Sequence, residues 1–154
     1  MGIIKVGDPA PAIKAVDQNG KEISLSQFKG KKIILYFYPK DDTPGCTAEA
    51  CNLRDNYTDL TARGFVIIGV SADSISSHLK FQTKYQLTFH LLADIEKKII
   101  KSYNVWGEKK LYGKSYEGIL RKTFIIDEKS RILKIIEKVN TKDHTRQILE
   151  ELSE

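Results

Sequence analysis

Cys46 and Cys51 lie five positions apart and are the two thiols of a 154-residue chain. A disulfide between residues so close would staple almost none of the chain, so a structural cross-link is a poor account of them. Paired cysteines in a reducing compartment point instead to redox catalysis or metal binding. Metal is the weaker reading, because His78, His90 and His144 show no ligand spacing relative to the cysteines. The three histidines are assigned surface or structural roles.

The stretch from Tyr36 to Asp55 reads YFYPKDDTPGCTAEACNLRD. Thr43 suits a helix N-cap and Pro44 the first helical position, where a missing N–H costs nothing. Cys46 then falls in the first helical turn, where unpaired N–H groups and the positive end of the helix favour a thiolate. That alone achieves little. Lowering a free cysteine from pKa ~8.5 to ~6 raises the thiolate fraction about 30-fold, and the accompanying loss of nucleophilicity takes back roughly tenfold. A catalytic thiol here must also position its substrate and stabilise the departing atom. Candidate donors are the Thr43 hydroxyl, the Cys46 backbone N–H and a guanidinium from elsewhere. Taken by itself, Cys46 is equally compatible with a small buried hydrophobe.

The elements that hold this stretch follow from hydrophobic patterning. Ala12 to Val16 and Ile23 to Leu25 flank Asn19-Gly20 and predict an N-terminal hairpin. Residues 33–38 form a continuous apolar run, as does Phe65 to Val70, which suits strands buried on both faces. Pro44 to Arg63 predicts one helix with an apolar stripe of Ala50, Leu53, Tyr57 and Leu60, stopped by Gly64. Helices near 76–85, 95–103 and 144–152, and strands at 90–93, 122–127 and 132–139, complete the pattern. Asn104 to Gly118 has no clear period and reads as a loop, with Trp106, Tyr112 and Tyr116 as loop-packing aromatics. The order implies an α/β fold with a mixed central sheet flanked by helices, in one domain spanning residues 1–154. Thioredoxin-like folds share that order.

Hydrophobic residues make up 41% and charged residues 29%, which is ordinary for a globular protein. The net charge of +5 is spread along the chain, with no Lys/Arg run longer than two, and predicts a solvated surface without a nucleic-acid partner. No apolar stretch approaches the ~20 residues of a membrane span. Met1-Gly2-Ile3-Ile4-Lys5 lacks the features of a secretory leader, and Val6 stands where a myristoylation signal needs Ser or Thr. A cytoplasmic protein is expected.

The sequence resembles the peroxiredoxins of the Q type, the bacterioferritin-comigratory-protein group. Pro39, Thr43 and Cys46 match that family's Pro-x-x-x-Thr/Ser-x-x-Cys motif. The strings YPKDDTPGCTAEAC and VWGEKKLYGKSYEGILRKTFIID resemble the subgroup specifically, with Arg121 in the place of the family's active-site arginine. The resemblance runs from the GDPAPAI opening to the terminal helix. It implies a thioredoxin-like fold and a thiol peroxidase whose Cys46 attacks a hydroperoxide and becomes a sulfenic acid. It further implies that Thr43 and Arg121 hold the peroxide oxygens and the sulfur, Pro39 shields the site from water, and Glu49 orients Arg121. Cys51 would resolve the sulfenic acid as a disulfide, which thioredoxin or a related dithiol reopens. The resemblance calls for no metal, flavin or haem cofactor, and implies a monomer.

Helix geometry adds a constraint. Residues five apart on an α-helix differ by ~140° and ~7.5 Å of rise, putting their Cα atoms about 8–9 Å apart. A disulfide needs roughly 4.4–6.8 Å, so Cys46 and Cys51 can bond only if the helix unwinds. Two other uses of the thiols stay open on the residues alone. A dithiol–disulfide oxidoreductase usually has Cys-x-x-Cys, which the spacing here disfavours. A peroxide sensor or a non-catalytic binding module would leave the same cysteines in place.

Overall fold

The computed structural model describes residues 3–153. The readings placed on Met1 and Gly2 lie outside the described residues. The chain begins with a short antiparallel pair, β1 (Lys14–Val16) and β2 (Glu22–Ser24), with the turn carried by Gly20 at φ 76. A 3-10 turn at Leu25–Phe28 leads into β3 (Lys32–Phe37). There follow α1 (Pro44–Asp55), α2 (Tyr57–Ala62), β4 (Phe65–Ser71), α3 (Ile75–Tyr85), β5 (His90–Ala93) and α4 (Lys98–Ser102). The chain ends with β6 (Trp106–Leu111), β7 (Lys114–Ile119), β8 (Lys122–Ile126), β9 (Ile132–Ile136) and α5 (His144–Leu152).

Five strands form the central sheet in the order β5-β4-β3-β8-β9. β3 runs parallel to β4 and antiparallel to β8, which makes the sheet mixed as the element order requires. β3 alternates between two cores: Ile33, Leu35 and Phe37 face one, Ile34 and Tyr36 the other, with Tyr38 just beyond the strand joining the second. The first core is closed by Ile99 and Ile100 of α4 and by Ile13 and Ile23 of the hairpin region. The second is closed by Ala50 and Leu53 of α1, Leu60 of α2, Phe81 of α3 and Ile148 of α5. Tyr36 lies opposite Gly69 in the β3–β4 register, and any Cβ at residue 69 would sit 2.9 Å from its hydroxyl.

Three expectations need correction. The helix expected over 44–63 is two helices, because Asn56 leaves helical geometry at φ −107, ψ 13 and its side chain donates to the Asn52 carbonyl at 2.8 Å. The apolar stripe crosses this break undisturbed, which is why the pattern read as one helix. The expected loop at 104–118 is largely a β-hairpin, with Trp106↔Ile119 to Leu111↔Lys114 in register. Its turn is Tyr112-Gly113, both at positive φ (54 and 77) as a tight two-residue hairpin turn demands. Tyr112 is 94% exposed there and packs no loop. The fourth helix is shorter than expected: the Asp94 carboxylate accepts the Ile100 N–H at 2.8 Å, and Lys97 takes φ 62 just before α4. Among the described residues, no helix is long and apolar enough to cross a membrane.

Candidate active site

The loop from Tyr38 to Thr43 connects the buried end of β3 to α1, and a buried hydrogen-bond network holds it. Asp41 Oδ1 accepts from the Tyr38 hydroxyl at 2.7 Å, and Oδ2 accepts from Ser77 Oγ at 2.8 Å and lies 2.7 Å from His78 Nδ1. His78 Nε2 sits 2.9 Å from the Leu92 carbonyl, and the Asp41 N–H donates to Asp73 Oδ2 at 2.8 Å. Asp41, Asp73 and His78 thus lie close enough to share a metal ion, but protein partners already engage their facing atoms. The cluster braces the loop. Next to it Asp42 adopts φ 55 and is gripped by Lys84 Nζ at 2.8 Å and the Tyr85 hydroxyl at 2.7 Å, which hold its carboxyl below the usual range.

Thr43 is the N-cap of α1 in an extended conformation, with Pro44 at the first helical position as expected. Its hydroxyl makes no cap bond. It donates to the Lys40 carbonyl at 2.9 Å, so the lone pairs of Oγ1 remain to accept a hydrogen bond from a ligand. The Thr43 hydroxyl is therefore an acceptor, where the sequence suggested a donor. Pro39 is half-buried at the head of the same loop. Cys46 lies in the first turn of α1 and is 1% exposed.

Arg121, immediately before β8, completes the site. Nη2 donates to Cys46 Sγ at 3.3 Å, and Nη1 donates to Glu49 Oε1 at 2.8 Å. Burial works against the guanidinium's charge, but the facing Cys46 and Glu49 outweigh it and raise its pKa further. Gly45 makes this approach possible: a Cβ there would stand 3.2 Å from Arg121 Nη2. Lys109 of β6 is a second cation nearby, with its pKa lowered by burial and by Arg121, and raised in part by Cys46. It donates to the Ile119 carbonyl at 2.9 Å.

Glu49 is fully buried, and burial pushes its carboxyl up to about 7 against the opposing pull of Arg121. Its Oε2 has no hydrogen-bond partner, although His144 Nε2 stands 3.4 Å away. His144, the first residue of α5, is also fully buried. Burial lowers it to about 4, so the contact with Glu49 is no ion pair near neutral pH. This histidine belongs to the site, although its position far along the chain from Cys46 gave no sequence signal.

Cys46, Thr43, Glu49 and Arg121 are therefore brought to one helix end. Cys51 lies further along the intact α1, half-buried, and both thiols are free. Burial pushes the Cys51 thiol up, with Arg54 opposing.

The sequence model of the AhpC/TSA family matches residues 6–135. The chain belongs to the AhpC/TSA family. It is 46% identical over 151 residues to Peroxiredoxin Bcp of Bacillus subtilis, covering 98% of this chain and 96% of that one. To Peroxiredoxin Bcp of Escherichia coli K12 it is 39% identical over 154 residues, covering 100% and 99%. Among solved structures, a cysteine-to-serine mutant of PrxQ from Xylella fastidiosa superposes with TM-score 0.91 at 29% identity, covering 99% and 98%. Peroxiredoxin Q of Xanthomonas campestris, also as a cysteine-to-serine mutant, superposes with TM-score 0.85 at 32% identity, covering 92% and 90%. The fold is thus the thioredoxin-like fold of the peroxiredoxins, and the activity that belongs to it is thiol peroxidation.

Proposed function

We propose that this peroxiredoxin reduces hydroperoxides at Cys46 and recycles through an intramolecular Cys46–Cys51 disulfide that a thioredoxin-like dithiol reopens. The observation that carries the reading is the Arg121 guanidinium, which reaches Cys46 Sγ and Glu49 at once beside a helix N-terminus. The Cys46 thiolate attacks the terminal peroxide oxygen, the O–O bond breaks, and sulfenic acid forms as an alkoxide or hydroxide leaves and takes a proton. Arg121 stabilises the charge on sulfur before the attack and on oxygen during it, while Thr43 Oγ1 accepts a hydrogen bond from the peroxide O–H. Pro39 keeps water from the open side. Cys51 then displaces water from the Cys46 sulfur, and the external dithiol reduces the resulting disulfide. Both cores are built on one sheet, which supports reading residues 1–154 as a single domain.

The deciding experiment is thioredoxin-coupled consumption of hydrogen peroxide and an organic hydroperoxide by wild type, Cys46→Ser and Cys51→Ser. Cys46→Ser should be inactive. Cys51→Ser should consume about one equivalent and then stop with thioredoxin as reductant. Retained turnover in Cys46→Ser would sink the reading.

A further inference from the structure

Glu49 sits on α1 between the two cysteines, where a buried carboxylate is hardest to account for. Oε1 is held by Arg121, but Oε2 is buried and unpartnered. The group facing it, His144 Nε2, is itself fixed. Gln147 Oε1 accepts the Asn140 N–H at 2.8 Å and Gln147 Nε2 donates to the Lys138 carbonyl at 2.7 Å, which sets the amide orientation. Oε1 can therefore offer His144 Nδ1, 2.9 Å away, only a lone pair. Nδ1 carries the ring proton, and the single lone pair of the neutral Nε2 accepts from the Thr123 hydroxyl at 2.8 Å, so His144 offers Oε2 no donor. An ionised Oε2 would set two acceptors against each other at 3.4 Å in a dry interior. A proton on Oε2 removes that conflict.

Charge balance points the same way. The titratable groups around the carboxyl are Cys46 on α1, Tyr36 on β3, Arg121 ahead of β8 and His144 on α5. Arg121 is the cation of this set and is already committed to Cys46 Sγ, so it compensates one anion better than two.

We propose that Glu49 is a proton-operated latch on α1: it keeps a proton on Oε2 while the helix is closed, and releases that proton to water when the helix opens. Its place in the catalytic cycle rests on the disulfide reading above, since joining Cys46 to Cys51 must unwind the segment that carries Glu49. The closed form is the carboxylic acid; the open form is the carboxylate plus one proton in solvent, with no change of oxidation state. The closed carboxyl titrates at about 7, whereas a solvated glutamate titrates near ~4.3. The raised value means that the latch is fully engaged below the lower limit and lost as pH rises through the upper one. Opening should therefore ease by up to about tenfold per pH unit across that window.

The test uses the reduced protein without peroxide, so that no disulfide is involved. Amide hydrogen exchange of residues 46–55 is followed from about pH 5 to about pH 7 and corrected with an unstructured peptide for the intrinsic chemistry of exchange. In wild type the corrected opening should rise with pH. In Glu49→Gln, whose amide is neutral at every pH, it should stay flat. A flat wild-type profile, or an equal slope in Glu49→Gln, overturns the latch. Infrared difference spectra give a second readout: a protonated-carboxyl C=O band near pH 6 that is absent in Glu49→Gln. No such band in wild type at that pH also overturns the latch. Neither result depends on Cys51, whose role is judged separately by the turnover of Cys51→Ser.

Discussion

Among the described residues two carboxylate–histidine pairs are buried on both members, Asp41–His78 at the loop before α1 and Glu49–His144 between α1 and α5. Their residue types are nearly the same and their hydrogen bonding is not. Every oxygen of Asp41 has a donor, and both ring nitrogens of His78 have partners. Glu49 keeps one oxygen without a bond. A saturated network resists change and braces the loop that delivers Thr43. An unsaturated one has a proton position to fill, and it stands behind the arginine that faces the reactive sulfur. The lesson is that burial alone does not separate scaffold from working part; the count of satisfied atoms does.

Breaking the saturated pair should have the largest effect. Asp41→Ala leaves Tyr38, Ser77 and His78 without their acceptor and should cost about 3–5 kcal/mol of stability, read from the chemical denaturation midpoint. On the other side, Arg121→Lys keeps the charge but cannot span Cys46 and Glu49 together. Single-turnover oxidation of Cys46 by hydrogen peroxide should slow by about 100-fold or more, while the denaturation midpoint moves little by comparison.

The pH dependence of global stability sharpens the contrast. His144 is depressed to about 4, so its contribution is present above the unfolded value of ~6.5 and is lost as pH falls toward the folded one. Glu49 is raised to about 7 and runs the opposite way, losing its contribution as pH rises from ~4.3. In wild type the two slopes largely cancel between about pH 4.5 and 6.5. Glu49→Gln should uncover the histidine slope, a rise of up to about 3 kcal/mol over that range in denaturant titrations. The smallest effect concerns α1's tether to α5. Asn52 accepts the Thr145 N–H at 2.8 Å, and Asn52→Ala should cost about 1 kcal/mol locally, quickening exchange of residues 46–55 about fivefold.

Much of this was legible in the chain. The run at 33–38 announced a strand buried on both faces, and Thr43-Pro44 announced the helix that carries Cys46. Arg121 came from resemblance, since one arginine before an apolar run says nothing about a sulfur at residue 46. The β6–β7 hairpin was missed because its outward positions alternate polar with polar, and its turn uses Tyr112 where Asn or Asp is the usual signal. The break at Asn56 was hidden by a stripe that the core needs on both helices. His144 was missed for a more general reason: its role is a distance to Glu49 set by the docking of α5, and periodicity carries no such information.

Gly45 carries one last consequence. Its neighbour across the helix end is the guanidinium itself, and a single added carbon would come within 3.2 Å of it. The smallest side chain is thus demanded here by the room a cation needs, with no left-handed backbone involved. Gly45→Ala would retain every reacting atom of the protein and misplace them by a few tenths of an ångström, which makes residue 45 a gauge of how closely arginine and sulfur must be held.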